Sequence, residues 1–245
     1  MKAQAVIGFH AVNARLKHSP DSVQTLYVSE HRQDARMRDL LARAEHEGVK
    51  VVSADDRRLD GMAGGNAHQG VVALCTEAQA PKHLDHVLEK IEPTTLILLL
   101  DGVTDPRNLG ACMRTASAAG ATAVVVPRDR SATLTDVASK AAAGAAETLP
   151  LIAVTNLARA MEAIKEAGVW IAGAAGDAPR TLYELDLSGP IAWALGAEGH
   201  GLRRLTRERC DWLARIPMLG DVESLNVSVA TGVCLFETLR QRGTP

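Results

Sequence analysis

The chain has 245 residues, room for one large domain or two modest ones. Its 47% hydrophobic and 23% charged residues are enough to bury a core, which excludes intrinsic disorder. A formal net charge of −2 and 3% aromatic residues argue against nucleic-acid binding through bulk charge or stacked rings, leaving local basic patches as the remaining route.

His10–His18 (HAVNARLKH) starts a helix, and Gln24–Glu30 (QTLYVSE) alternates like a short strand. Asp34–Glu47 reads as a charged amphipathic helix ended by Gly48. Val49–Ala54 and Gln69–Thr76 read as two more strands, with a glycine-dense mobile loop, GMAGGNAHQG, between them. Residues 1–76 therefore read as a small α/β domain. Residues 77–91 read as a linker (EAQAP) followed by a short helix with Leu84, Val87, Leu88 and Ile91 at helical spacing.

Residues 92–245 read as a second domain in which strand, loop and helix repeat. TLILLLD, TAVVVP, LPLIAVT, GVWIAGA and PIAWALG are short apolar runs of the kind a sheet covered on both faces requires. Helical segments at Leu109–Ala119 and Asn156–Ala167 separate some of them, which predicts a mostly parallel α/β sheet. Asn226–Arg240 reads as a last helix with Val229, Val233, Phe236 and Leu239 along its apolar face. The longest aliphatic run, Leu96–Leu100, is far short of the roughly 20 residues of a membrane span, and His10, Asn13 and Arg15 spoil any signal-peptide core. Cys75, Cys112, Cys210 and Cys234 stand apart without a C-x-x-C pair. They read as reduced thiols of a cytoplasmic protein, with no disulfide framework and no metal site.

Three loops at predicted strand ends carry the candidate chemistry, since open α/β sheets bind ligands there. In DGVTDPRNLGACMRTASAAG, Asp101 ends a buried strand, Pro106 and Gly110 shape the turn, and Asn108 reads as a helix cap as readily as a ligand contact. Arg114 lies two turns further on and reads either as a surface charge or as a group leaning back to the loop mouth. In ALGAEGHGL, Gly196, Gly199 and Gly201 permit close backbone approach, with Glu198 among them; neither the dinucleotide fingerprint nor a P-loop is present. In RIPMLGDVESLNVSVATGVCLFE, an apolar strand end at Ile216, Pro217 and Met218 leads to Ser224, Leu225 and Asn226, where Ser224 or Asn226 would cap the final helix.

In order and spacing, N-L-G-x-x-x-R, A-L-G-x-E-G-x-G-L and I-P-M-x-G-x-x-x-S-L-N-V-S-V-A-x-G resemble the three motifs of the SpoU (TrmH) branch of the SPOUT methyltransferases. VPRDRSA, AAGAAE and LPLIAVTNLAR extend the likeness along the whole chain. Ala197 stands where the family often has Ser, a departure that leaves the glycines and the acid in place. The resemblance implies a C-terminal domain with a deep trefoil knot and an N-terminal L30e-like RNA-binding domain. It also implies a homodimer and S-adenosyl-L-methionine as cofactor, held near Gly196, Gly199, Ile216, Met218 and Leu225. Arg114, Asn108, Glu198, Ser224 and Asn226 match the catalytic motif positions, and no metal is implied. The implied reaction is 2′-O-methylation of a guanosine in 23S rRNA, in the P loop of the peptidyl-transferase centre, as free rRNA or in a large-subunit assembly intermediate.

An arginine is effectively always protonated. Arg114 therefore reads as the group that fixes a phosphate and stabilises alkoxide charge, with the proton passing to water or phosphate. Arg203, Arg204, Arg207 and Arg209 form one candidate RNA-docking stripe, and Arg32, Arg36, Arg38 and Arg43 another. The alternatives are a tRNA ribose methyltransferase of the same family and a catalytically silent RNA-binding or assembly protein; intact motif residues count against the latter. The missing fingerprint argues against a nucleotide-dependent oxidoreductase.

Overall fold

The computed structural model describes residues 4–76 and 83–243. The EAQAP segment, residues 77–81, lies entirely outside them. The chain divides into two units, Met1–Ala80 with Ala143–Thr148, and Pro81–Ala142 with Leu149–Pro245.

In the first unit the elements are β1 (Gln4–Ile7), α1 (Phe9–His18), β2 (Val23–Ser29), α2 (Ala35–His46), β3 (Val51–Ala54), α3 (Asp56–Ala63) and β4 (Val71–Cys75). The sheet order is β1-β4-β2-β3, with β4 antiparallel to both β1 and β2 and β3 parallel to β2. Val12, Leu16, Leu26, Met37, Leu40 and Val71 share one core. Asp34 caps α2 by accepting from the Met37 amide at 2.9 Å. The first three residues of the glycine-dense segment, Gly61–Ala63, are the end of a helix, contrary to the loop reading. Asp55 caps α3 by accepting from the Arg58 amide at 2.8 Å, and Leu59 and Ala63, one turn apart, bury with Val72. That i, i+4 pair outweighs the helix cost of Gly61. β1 escaped the sequence reading because its four residues are held by pairing with β4.

The second unit holds α4 (Leu84–Leu88), β5 (Leu96–Asp101), α5 (Pro106–Ala118), β6 (Ala123–Pro127), α6 (Asp136–Ala142), β7 (Leu151–Val154), α7 (Leu157–Glu166), β8 (Trp170–Ala174), β9 (Arg180–Thr181), β10 (Ile191–Gly196), α8 (Arg204–Arg209), β11 (Trp212–Arg215) and α9 (Val227–Gln241). Its seven-stranded sheet has the order β7-β6-β5-β10-β8-β11-β9, and every pairing is parallel. The apolar runs are its strands, and all six residues of β5 are buried. On one face Ile97, Leu99, Val125 and Ala192 pack with α4 and α7. On the other face Trp193 donates to Thr238 of α9 at 2.9 Å.

Three readings of this unit need correction. Gly110 does not shape a turn but lies inside α5, where a Cβ would come within 2.3 Å of the Ala138 carbonyl oxygen and 2.6 Å of the Ala141 Cβ. It is the notch into which α6 packs. The strand read at Ile216–Met218 ends one residue earlier, in β11, whose ladder with β8 runs through Ala214; Ile216 and Met218 are thereby free of the sheet. The apolar face of α9 is reversed: Val229 is 51% and Phe236 49% exposed, while Val227, Thr231, Cys234, Leu235 and Thr238 are buried. Thr231 and Thr238 enter the core because their hydroxyls donate back to the Val227 and Cys234 carbonyls, at 2.8 and 3.0 Å.

Past α9, the Arg242 guanidinium donates to the carbonyls of Thr94, Thr95, Leu187 and Gly189 at 2.6–3.3 Å. It ties the helix end to the starts of β5 and β10. Replacing Gly110 with alanine should lower stability by about 1–3 kcal/mol, the usual cost of overpacking a tight contact, without changing the denaturant slope. A urea-unfolding midpoint equal to that of the unaltered protein would refute the notch.

Candidate functional site

β5 and β10 lie side by side in register, Leu100 opposite Leu195 and Asp101 opposite Gly196, and both end at the same edge of the sheet. Asp101 is fully buried and lies at the end of an otherwise aliphatic strand. Its charge is met by Arg203, whose backbone amide donates to Oδ2 at 2.9 Å and whose Nε donates to Oδ1 at 2.5 Å. A buried carboxylate costs several kcal/mol unless paired, so the loop carrying Arg203 must fold back onto β5.

That loop is short. The Gly201 amide donates to the Ala197 carbonyl at 2.9 Å, and Gly199 and Gly201 have φ of +79° and +63°. A Cβ on Gly196 would lie 1.9 Å from the Gly201 carbonyl carbon, so no other residue fits there.

Beside it opens a cavity of about 390 Å³, within the usual range for small-molecule sites. Gly196, Glu198 and Gly199 line it from the β10 loop, Ile216, Met218, Ser224 and Leu225 from the segment after β11, and Asp177 from the loop after β8. Apolar side chains and approachable backbone lie next to carboxylates, a donor set that suits a flat heteroaromatic group joined to a cationic chain. The cavity therefore fits S-adenosylmethionine.

At the rim, Asn108, Glu198 and Asn226 form a closed triangle. Asn226 donates through Nδ2 to Glu198 Oε1 at 2.5 Å and to Asn108 Oδ1 at 3.0 Å, and Asn108 donates to the same Glu198 oxygen at 3.3 Å. Asn226 is also the N-cap of α9, its Oδ1 accepting from the Ser228 amide at 2.9 Å. Beneath the triangle Cys112 lies 3.4 Å from Thr231 Oγ1. The Thr231 hydroxyl donates to Val227, so the thiol is the donor between them. Burial, aided by the charge of Glu198, pushes the Cys112 thiol up to about 11.

The structure separates the remaining candidates. Asn108 does not cap α5. Asp105 does, accepting from the Arg107 amide at 2.8 Å, which leaves Asn108 in the first turn with its side chain free for the triangle. Ser224 is exposed at the cavity and its side chain bonds to none of the other described residues. Arg114 is exposed, unpaired among the described residues, and about 120° around α5 from Asn108 at 3.6 residues per turn.

The stripe of four arginines is not a free basic surface. Arg203 pairs with Asp101, Arg204 with Glu208, Arg207 with Asp177 and Arg209 with Glu162. Three of those acid partners lie 30 to 102 residues away, beyond any local pattern, whereas Glu208, four residues after Arg204, was a readable i, i+4 pair. The Arg207 fork, 2.7 and 2.9 Å from the two Asp177 oxygens, holds that carboxyl below its ordinary value. Among the described residues, no group of three or more His, Cys, Asp or Glu is placed to hold a metal ion, and no helix is long and apolar enough to cross a membrane.

Residues 95–236 match the SpoU rRNA Methylase family, and residues 5–81 match the RNA 2′-O ribose methyltransferase substrate binding family. The chain is 54% identical to the 23S rRNA (guanosine-2′-O-)-methyltransferase RlmB of Ralstonia nicotianae, over 98% of this chain and 97% of that protein. The SpoU methyltransferase AviRb from Streptomyces viridochromogenes, solved in complex with AdoMet, superposes with a TM-score of 0.76 at 26% identity, over 99% of this chain and 91% of that one. The TrmH/SpoU tRNA modifying enzyme of A. aeolicus superposes with a TM-score of 0.56 at 29% identity, over 65% of this chain and 81% of that one.

Two outcomes check this geometry. Asp101→Asn should cost about 2–4 kcal/mol by unpairing one side of a half-buried ion pair, read as a lower urea midpoint; a change under about 0.5 kcal/mol would show that Asp101 does not organise the loop. With so raised a thiol, Cys112 in the folded protein should alkylate at pH 8 at least about a hundredfold more slowly than a free cysteine, as followed by mass spectrometry.

Proposed function

The chain belongs to the SpoU rRNA Methylase family, and from that premise we propose that it methylates the 2′-hydroxyl of a guanosine in 23S rRNA from S-adenosylmethionine. The observation that carries the reading is that the second and third motif loops line one cavity, while the Asn108–Glu198–Asn226 triangle ties the first motif loop to its rim. The rRNA substrate is favoured over tRNA by relatives named for 23S rRNA that match both units of the chain, whereas the tRNA modifying enzyme matches 65% of it.

Gly196, Gly199, Ile216, Met218 and Leu225 would hold the cofactor, which when bound supplies an electrophilic methyl on a sulfonium. Asn108, Asn226 and Ser224 position the ribose. Arg114 fixes a backbone phosphate of the same RNA and offsets the negative charge that develops on the attacking oxygen. Local basic side chains of the first unit dock the RNA: Arg36 and Arg38 on α2 are exposed and unpaired among the described residues. Positioning of this kind supplies much of the rate in a direct group transfer.

The protein works in the cytoplasm, where rRNA is made. It acts as a homodimer, its exposed Val229 and Phe236 covered by a second copy, with the C-terminal segment threaded as a trefoil knot.

Labelled S-adenosylmethionine should yield 2′-O-methylguanosine in unmodified 23S rRNA and none in bulk tRNA; label confined to tRNA would overturn the substrate. Arg114→Ala should lower turnover about a hundredfold or more with cofactor affinity changed less than about threefold. Wild-type turnover in that variant would remove Arg114 from the mechanism. Light scattering should give twice the 26.0 kDa chain mass, falling to one chain in Phe236→Asp.

A further inference from the structure

The VPRDRSA run has no part in the cavity or the triangle. It forms the end of β6 and the turn that follows, at the sheet edge where β5 and β10 also end. Two bonds hold that turn to the loop after β5. The Ala132 amide donates to the Val103 carbonyl at 2.8 Å, and the Ser131 hydroxyl donates to the same oxygen at 3.4 Å. Gly102, at φ +83°, is bare where the turn arrives: a Cβ there would lie 4.0 Å from the Arg130 carbonyl oxygen and 3.9 Å from the Ala197 Cβ. The backbone of Arg130 therefore lies beside the loop that carries Glu198.

Arg130 has a φ of +57°, a conformation that glycine adopts freely and other residues rarely adopt. Strain of this kind clusters at active sites and ligand clamps. Arg128 and Arg130 are both exposed, and among the described residues neither guanidinium meets a carboxylate or a carbonyl. Arg107, Arg114 and Arg159, on the helices that follow β5 and β7, are exposed and unpaired in the same way. The acids on the turns and helix starts around them, Asp105, Asp129 and Asp136, are fewer, and Asp105 is occupied in capping α5. By contrast, each arginine of the stripe at 203–209 has its own acid. Free guanidinium groups suit phosphate oxygens, which they bind through bidentate, charge-assisted pairs.

We propose that the turn after β6 is a phosphate clamp for the substrate strand. Arg128 and Arg130 bind backbone phosphates of nucleotides next to the target guanosine and so hold its ribose at the cavity rim. The inference rests on the methyl-transfer reading above. Both arginines are positioning residues, touching RNA away from the reacting atoms. Contacts to phosphate fix register and carry no base information, so the turn supplies affinity and placement and leaves base choice to other groups.

In the double variant Arg128→Ala/Arg130→Ala, KM for an unmodified 23S rRNA transcript should rise about tenfold or more, with kcat changed less than about twofold. The plot of log Kd for that transcript against log salt should lose about 1.4 of its slope, about 0.7 for each contact to an unpaired strand. S-adenosylmethionine affinity by calorimetry should change less than about twofold, because the bonds to Val103 come from Ser131 and Ala132. Arg128→Lys/Arg130→Lys should restore most of the slope, since lysine still binds phosphate as a point charge. Arg180→Ala removes an equally exposed, unpaired arginine from β9 at the far edge of the sheet, and should leave KM and slope unchanged.

An unchanged KM and salt slope in the double alanine variant, with the unaltered protein methylating rRNA, would overturn the clamp and leave the methyl-transfer reading standing. So would an equal loss of slope in Arg180→Ala, which would make the effect one of overall charge. A parallel loss of cofactor affinity would also overturn it, by making the turn a wall of the pocket. Failure of the unaltered protein to methylate rRNA or tRNA would instead overturn the methyl-transfer reading and this inference with it.

Discussion

The fully buried carboxylate of Asp101 constrains everything at the sheet edge. It ends a strand whose other five residues are aliphatic and buried, so only a partner brought to it can meet its charge. Arg203 does so twice, through its backbone amide and its guanidinium. The backbone bond fixes where the chain must be one residue after Leu202, and the five-residue reversal Ala197–Gly201 brings the chain there from β10. The bare backbone of Gly196 against Gly201 follows from that demand, and so does the placement of Glu198 at the outer side of the reversal. The site is in this sense the outer surface of a charge-pairing solution.

The triangle shows a second dependence, of side chains on a helix. Because Asn226 spends its oxygen on the first turn of α9, its nitrogen is directed outward, and Asn108 is turned to match. Capping and site assembly are thus one event: a residue that satisfies an orphan amide also dictates which atoms the neighbouring loop presents. The buried Thr231, linked to Cys112 of α5, continues the same contact into the core and keeps the two helices in register below the rim.

The parallel sheet and the three motif loops were legible because continuous apolar runs and glycine-rich turns are local signals. The errors have a common origin in contacts that no local pattern encodes. Thr231 and Thr238 look polar, yet they are buried after bonding to their own helix, while Val229 and Phe236 look like core and are not. Gly110 looked like a turn residue because a glycine signals absence of a side chain without saying what fills the space; here it is α6. Asn108 looked like a cap because Asp105, three residues earlier, is an equally good one. The arginine stripe looked basic because three of its four acids are remote in sequence. Of the candidate residues, the triangle could be guessed from motif order, but its hydrogen-bond sense could not, since that depends on the Ser228 amide.

The guanidinium of Arg242 has an implication for biosynthesis. During N-to-C synthesis domains fold as units as they emerge, and the first unit and strands β5 to β7 can be in place early, whereas β8 pairs only with β10 and β11 and waits for them. The walls of the cavity come later, from Leu195–Leu202 and then Ile216–Val227, and α9 is fastened to the starts of β5 and β10 only once Arg242 has left the ribosome. A nascent chain thus carries a substrate-binding unit well before it carries a complete pocket. Held by the ribosome that made it, close to abundant rRNA, such a chain would have a surface for RNA and no competent site to act on it.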